Sequence, residues 1–162
     1  MKILYIGGQK SGKSSLAEKK ILEISPQKPI YLATYNNSYH DNQMQARIDT
    51  HIKRRKADFH TIEEPLYLDE VIQEGAFYLV DCLSMWILNL LEADLDYKEI
   101  LARILKIDAT IVFVLNDVTS GIIPDNALSR TYIDMSGIIG QIVAASCDEV
   151  YQVVVGLENR LK

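Results

Sequence analysis

The residues with the clearest chemical signature lie near the start of the chain, at positions 7–14. They have the spacing G-x-x-x-x-G-K-S, which is typical of a phosphate-binding loop. In such a loop backbone N–H groups surround a phosphate, the lysine adds a positive charge, and the last serine holds Mg²⁺. We therefore predict that this loop, called the P-loop below, binds a nucleoside triphosphate through Gly7, Gly8, Gln9, Lys10, Ser11, Gly12, Lys13 and Ser14. The alternative is a turn rich in glycine and serine that binds no ligand.

The segments on either side of the P-loop are those that a nucleotide-binding loop requires. Residues 2–6 form an apolar run that predicts a β-strand, and residues 14–25 predict a helix. In that helix Ala17, Ile21 and Ile24 recur at helical spacing on one face. The positive end of the helix dipole would point at the bound phosphate.

A second candidate is Asp81, which ends the apolar run 77–81. In an open α/β sheet, ligands gather at the carboxyl ends of the strands, so we expect Asp81 to face the P-loop. A carboxylate at this position holds Mg²⁺ or its water ligands in many P-loop enzymes. The alternative is that Asp81 only caps the helix that follows.

A third candidate is His51, which lies in a basic segment. If this segment is helical, Arg47, His51 and Arg55 are one turn apart on one face. Neighbouring cations disfavour the imidazolium, so we expect His51 to be neutral near pH 7 and nucleophilic. That arrangement suits phosphoryl or nucleotidyl transfer through a covalent N–P intermediate. The alternative is a solvated basic face, while His40 and His60 are expected to be surface residues.

Composition limits the class of protein. The chain has 162 residues, 48% of them hydrophobic, and we expect one domain spanning residues 1–162. A net charge of −5 does not favour nucleic acid as a partner, and no apolar run has the length of a membrane span. The cysteines Cys82 and Cys147 form no C-x-x-C motif and are expected to be reduced core residues. These features predict a cytoplasmic protein.

Five apolar runs alternate with segments of helical pattern. This alternation predicts an α/β fold of the P-loop NTPase type, with a mainly parallel twisted sheet and helices on both faces. The predicted strands are residues 2–6, 30–34, 77–81, 110–115 and 150–155, and the predicted helices are 14–25, 41–56, 66–73, 83–92, 97–106 and 127–146. The run 110–115 is the most apolar and is predicted to be a central strand.

Taken together, these segments resemble the bifunctional adenosylcobinamide kinase / adenosylcobinamide-phosphate guanylyltransferases of cobalamin biosynthesis. The resemblance covers nearly the whole chain. It is carried by the P-loop, Tyr31-x-Ala33-Thr34, Arg47-Ile48-x-x-His51, Asp81-Cys82-Leu83-Ser84-x-Trp86-x-x-Asn89-Leu90-Leu91 and Asn116-x-Val118-x-x-Gly121-Ile122-x-Pro124.

The resemblance implies two reactions. A nucleoside triphosphate, ATP or GTP, phosphorylates the corrinoid substrate adenosylcobinamide. GTP then guanylylates His51, and the GMP passes to adenosylcobinamide phosphate. Mg²⁺ would accompany the nucleotide, held by Ser14 and Asp81. Besides the P-loop, the resemblance implies nucleotide contacts at Thr34, Tyr35, Asn36, Ile52, Lys53, Arg54, Arg55, Glu63 and Asp81.

The resemblance also implies a homotrimer, in which apolar surface of residues 83–91 or 127–146 is buried between copies. The chain departs from the family pattern at Ile133, Gly140 and Glu158, which leaves the corrinoid and subunit contacts open. Two other functions stay open from the residues alone. One is a P-loop kinase of another small alcohol, and the other is a GTP-binding switch, against which the absence of an N-K-x-D motif counts.

Overall fold

One mostly parallel sheet dominates the computed structural model, which describes residues 1–35 and 57–162. Within these ranges the sheet has seven strands in the order β3-β2-β4-β5-β1-β6-β7. Neighbouring strands are parallel except that β7 runs antiparallel to β6. The strands are β1 Lys2–Gly7, β2 Ile30–Ala33, β3 His60–Glu63, β4 Phe77–Asp81, β5 Thr110–Asn116, β6 Glu149–Val154 and β7 Leu157–Arg160. The predicted α/β fold with a mainly parallel sheet is confirmed.

Five helices connect these strands in the described part of the chain. They are α1 Lys13–Ile24, α2 Leu68–Val71, α3 Leu83–Glu92, α4 Tyr97–Lys106 and α5 Ala127–Ser146. Four of them match the predicted helices within one residue at each end. The helix predicted over 66–73 is shorter, because the backbone is already extended at Ile72. The helix predicted over 41–56 lies outside the described residues.

The sheet is covered by helices on both faces, which explains why its central strands are apolar throughout. In β5, Ile111, Phe113 and Leu115 pack into the core formed with α2, α3, α4 and α5. The alternate residues Val112 and Val114 pack into the core on the other face, which α1 covers. Since both faces of a parallel sheet are buried, no polar alternation remains. β5 is the fourth of seven strands, so its predicted central position is confirmed.

The number of strands was predicted wrongly, because two edge strands carry no apolar pattern. Three of the four residues of β3 are exposed, and all four of β7 are exposed. Edge strands face water on one side and often carry charged residues, so their sequences resemble loops. His60 begins β3 and is exposed, as predicted for a surface histidine.

Helix α3 fixes the loops that follow β2 and β3. The Trp86 indole Nε1 donates to the Leu66 carbonyl oxygen at 2.7 Å. Asn89 Nδ2 donates to the carbonyl oxygens of Thr34, at 2.7 Å, and Pro65, at 3.0 Å. A single buried helix therefore holds the chain at the points just after β2 and just after β3.

The two segments predicted to lie between subunits differ in the apolar surface that they expose. Helix α3 buries most of its apolar side chains in the core of its own chain, so residues 83–91 offer little apolar surface to a partner. Helix α5 instead exposes Leu128, Ile138 and Ile142. In the part of the chain that the structure describes, no helix is long and apolar enough to cross a membrane.

The Trp86→Phe substitution should lower the free energy of unfolding by about 1–3 kcal/mol, because it removes a buried hydrogen bond and leaves a small cavity. The measurement is urea unfolding followed by circular dichroism. Tyr67→Phe is the control, since Tyr67 is 40% exposed and its substitution should change stability by less than about 0.5 kcal/mol. Equal unfolding midpoints for the two variants would contradict the role given to Trp86.

Candidate active site

The P-loop connects the end of β1 to the start of α1, as its spacing predicts. Gly12 precedes α1 with φ 96°, a left-handed conformation that glycine adopts at little cost. At Gly7 an added Cβ atom would clash with the backbone carbonyl oxygen of Val153 in β6, and it would lie 2.7 Å from Ser11 Oγ. These two positions therefore require glycine for the shape of the loop.

Hydrogen bonds occupy four of the carbonyl oxygens of the P-loop. The backbone pairs are Asp117 N to Gly7 O at 2.9 Å, Ser11 N to Gly8 O at 3.2 Å, Gly156 N to Ser11 O at 2.8 Å and Leu16 N to Gly12 O at 3.1 Å. Two of these donors come from other elements, one after β5 and one in the turn between β6 and β7. Carbonyl oxygens repel phosphate, so engaging them elsewhere favours anion binding in the loop.

Lys13 is the buried cation of this site, with 6% of its surface exposed. Its Nζ donates to the Gly8 carbonyl oxygen at 3.2 Å. Burial lowers the pKa of Lys13, and the nearby Asp81 carboxylate acts in the opposite direction. A buried ammonium group gains from an anion beside it, so a phosphate in the loop would stabilise its charged form.

Asp81 faces the P-loop from the end of β4. Its Oδ1 accepts a hydrogen bond from Ser14 Oγ at 3.4 Å, and its Oδ2 accepts one from Tyr31 OH at 2.7 Å. Tyr31 is itself buried in β2 and packs edge-on against Phe59, with ring centroids 5.8 Å apart. The tyrosine therefore fixes the orientation of the carboxylate and leaves Oδ1 directed at Ser14.

The turn after β2 lies at the same edge of the sheet. Ala33 pairs with Asp81 on one side and with Glu63 on the other, so all three strands end together. Glu63 is exposed at this edge. Thr34 is fully buried, and its hydroxyl donates to the Cys82 carbonyl oxygen at 2.7 Å and accepts from Cys82 N at 3.0 Å. The Thr34 side chain thus holds the turn, and its predicted nucleotide contact stays a prediction.

Several predicted site residues lie outside the described residues. They are Asn36, His51, Ile52, Lys53, Arg54 and Arg55, together with His40. Tyr35 is described and is half-buried directly after Thr34. The site that can be built from the structure is therefore the P-loop with Asp81, Tyr31 and the turn at Thr34.

Comparison with known proteins decides the family. The family model described as cobinamide kinase / cobinamide phosphate guanyltransferase matches residues 3–161. The bifunctional adenosylcobalamin biosynthesis protein CobP of Pseudomonas aeruginosa is 38% identical, over all of this chain and 98% of its own length. The bifunctional adenosylcobalamin biosynthesis proteins CobU of Escherichia coli and Salmonella typhimurium are 31% and 33% identical, each over the full length of both chains.

The chain belongs to this family. It is an enzyme of the cobinamide kinase / cobinamide phosphate guanyltransferase type, as the resemblance in its sequence implies. Cobinamide substrates and a nucleotide are the ligands of such an enzyme. The P-loop and the strand end at Asp81 that faces it lie at one edge of the sheet.

Three residues of the site were not predicted from the sequence as site residues. Tyr31 and Asn89 both belong to the motifs that carry the resemblance. Tyr31 orients Asp81, and Asn89 binds the carbonyl oxygen of Thr34. Gly156 donates to Ser11 of the P-loop, 145 positions earlier in the chain, and has φ 85°. The sequence signal for Gly156 is a glycine after the last apolar strand. Such a glycine indicates a turn, but not a contact with the P-loop.

Cys82, next to Asp81, should react slowly with iodoacetamide. Burial raises the pKa of its thiol from 9.0 to about 11, and the Asp81 charge acts in the same direction. The thiolate fraction at pH 8 should then be roughly a hundredfold lower than for an ordinary thiol. Peptide mass spectrometry of the alkylated protein would measure the rate, with protein in urea as the control.

The pH dependence of the alkylation rate distinguishes a raised thiol pKa from a thiol that the reagent cannot reach. The alkylation rate of Cys82 should keep rising about tenfold per pH unit between pH 8 and pH 10, because the thiolate fraction does so below the raised pKa. Alkylation in the native protein at pH 8 as fast as in urea would contradict the environment described for Cys82.

Proposed function

We propose that this enzyme phosphorylates adenosylcobinamide and then transfers GMP to the resulting phosphate through a covalent GMP-histidine at His51. The observation that carries the proposal is the pairing of Ser14 Oγ and Asp81 Oδ1 at 3.4 Å, beside Lys13 at the P-loop. This arrangement of a lysine, a hydroxyl and a carboxylate around a phosphate-binding loop is what nucleoside triphosphate chemistry requires.

In the kinase step the P-loop binds the β- and γ-phosphates, and Lys13 stabilises the charge that develops on the transferred group. The acceptor is the hydroxyl group on the aminopropanol arm of adenosylcobinamide, and its oxygen forms a bond to the γ-phosphorus. The bond from that phosphorus to the bridging oxygen breaks, and its electron pair leaves with the nucleoside diphosphate. The hydroxyl proton is released to water.

Mg²⁺ is the metal that we propose for this site. Ser14 and Asp81 offer a hydroxyl and a carboxylate oxygen, and oxygen ligands of this kind suit Mg²⁺. Among the residues described, no group of three or more His, Cys, Asp or Glu side chains could hold a metal. That fits an ion held by one or two protein groups together with nucleotide phosphates. When bound, Mg²⁺ would neutralise charge on the β- and γ-phosphate oxygens.

In the guanylyltransfer step the neutral imidazole of His51 attacks the α-phosphorus of GTP. An N–P bond forms, and pyrophosphate leaves with the electron pair of the broken P–O bond. A phosphate oxygen of adenosylcobinamide phosphate then attacks the same phosphorus, and the imidazole recovers its electron pair. Arg47 and Arg55, one helical turn from His51 on a predicted helix, would keep the ring neutral and bind the α-phosphate oxygens.

The nucleoside would extend from the P-loop along the strand ends of β2, β3 and β4. Ala33 pairs with both Glu63 and Asp81, which supports one continuous edge for it. We propose contacts from the turn Thr34, Tyr35 and Asn36, from residues 52–55 and from Glu63. We also propose a cytoplasmic homotrimer, in which the exposed Leu128, Ile138 and Ile142 of α5 face another copy.

The Lys13→Ala variant should lose kinase activity by a factor on the order of 10²–10³, the usual cost of removing one stabilising charge from a transferred group. Initial rates of adenosylcobinamide phosphorylation would measure this. Lys19→Ala is the control, because Lys19 lies on the same helix and forms an exposed ion pair with Glu23. A near-normal rate in Lys13→Ala with an intact fold would contradict the assignment.

The His51→Asn variant should lose guanylyltransfer and keep most kinase activity, because only the former step needs a covalent histidine. Parallel rate assays of both steps would measure the separation. His60→Asn is the matched control, since His60 is exposed on β3 and should leave both rates unchanged. Guanylyltransfer at a normal rate in His51→Asn would mean that the nucleophile is another residue.

A further inference from the structure

The loop between β5 and α5, residues 117–126, presents two large apolar side chains to water. Ile122 is 95% exposed and Ile123 is 78% exposed. Together with Val118, Pro124 and Ile133 they line a groove of about 280 Å³, whose polar residues include Arg130 and Asp134. Adjacent exposed isoleucines beside a groove are a common sign of a ligand or partner site.

Hydrogen bonds within the loop hold the groove in shape. Arg130 donates from its guanidinium to the carbonyl oxygens of Pro124, at 2.9 Å, and Asp125, at 2.6 Å. Asn126 caps α5 by accepting from Ser129 N at 3.0 Å, and Asp117 accepts from Thr119 N at 3.2 Å. These bonds fix the two ends of the loop, on either side of Ile122 and Ile123, which limits the entropic cost of ordering the loop around a ligand.

The loop that lines the groove is attached to the sheet beside the P-loop. β5 lies between β1, which leads into the P-loop, and β4, which ends in Asp81. At the end of β5, Asp117 N donates to Gly7 O at 2.9 Å, and Asn116 N donates to Ser84 Oγ at 2.8 Å. The loop thus leaves the sheet between the two halves of the phosphate site.

In phosphoryl transfer the attacking oxygen lies roughly in line with the leaving oxygen, on the far side of the γ-phosphorus. The P-loop and α1 would hold the leaving side, so the acceptor must approach from beyond the carboxyl ends of the central strands. The loop at 117–126 is attached at that place.

We propose that this groove binds the acceptor alcohol, with the hydroxyl-bearing arm of the corrinoid in the groove and its ring over Ile122 and Ile123. The proposal rests on the proposed function and adds the binding site of its second substrate. A volume of about 280 Å³ accommodates an arm and not a whole macrocycle. An amphipathic acceptor matches the mixed lining, because its apolar parts would cover the isoleucines while polar groups meet Arg130 and Asp134.

The test is the double variant Ile122→Ser/Ile123→Ser, compared with Leu161→Ser. Leu161 is 58% exposed near the far edge of the sheet, and all three side chains are exposed, so both variants should fold. Equilibrium dialysis with cobinamide would give its Kd, and a parallel titration with Mg²⁺ and GTP would give that of the nucleotide. The double variant should raise the Kd and KM of cobinamide on the order of tenfold or more. The Kd of GTP should stay within about twofold, and Leu161→Ser should resemble the wild type.

Two results would overturn the groove assignment alone. In the first, the wild-type enzyme phosphorylates cobinamide, and the double variant has the same Kd for cobinamide as the wild type. In the second, light scattering shows that the double variant has a different oligomeric state, while its Kd for cobinamide is unchanged. That result would make this face a contact between copies of the chain. A wild-type protein that neither binds nor phosphorylates cobinamide would overturn the proposed function and the groove assignment together.

Discussion

The structure depends on the hydrogen bonds that fix the P-loop between its two neighbouring strands. Asp117 N, after β5, and Gly156 N, after β6, hold the Gly7 and Ser11 carbonyl oxygens. Both donors come from the carboxyl ends of strands parallel to β1. A parallel sheet therefore does more than support the loop, because it engages carbonyl oxygens that would otherwise repel an anion in the loop.

The same edge of the sheet gathers the other groups that the chemistry needs. Tyr31 orients Asp81 toward Ser14, and Thr34 joins β2 to the turn after β4 through Cys82. Ser84, at the start of α3, accepts from Asn116 N at the end of β5, and its carbonyl oxygen accepts from Tyr132 OH on α5 at 3.2 Å. The phosphate site and the proposed acceptor groove are thus joined through one short segment, 81–84.

The P-loop and the central strands could be predicted from the sequence, because the patterns that indicate them lie in neighbouring residues. The P-loop has a fixed spacing, and strands such as β5 are apolar throughout because helices cover both faces. The edge strands β3 and β7 could not be predicted, since exposed polar residues carry no burial pattern. The Tyr31–Asp81 hydrogen bond depends on the register of β2 against β4, and the Gly156–Ser11 contact on how the last hairpin packs. Neither is encoded in the spacing of neighbouring residues.

The most direct test of the account is the fate of the phosphates of GTP on the wild-type protein with Mg²⁺. The account predicts that label on the α-phosphate stays on the denatured protein, on the peptide that contains His51. It should be lost in acid, retained in base, and removed from the native protein by adenosylcobinamide phosphate. Label on the γ-phosphate should appear in pyrophosphate. Protein that takes up no α-label, or an adduct that is stable in acid, would contradict the covalent histidine mechanism.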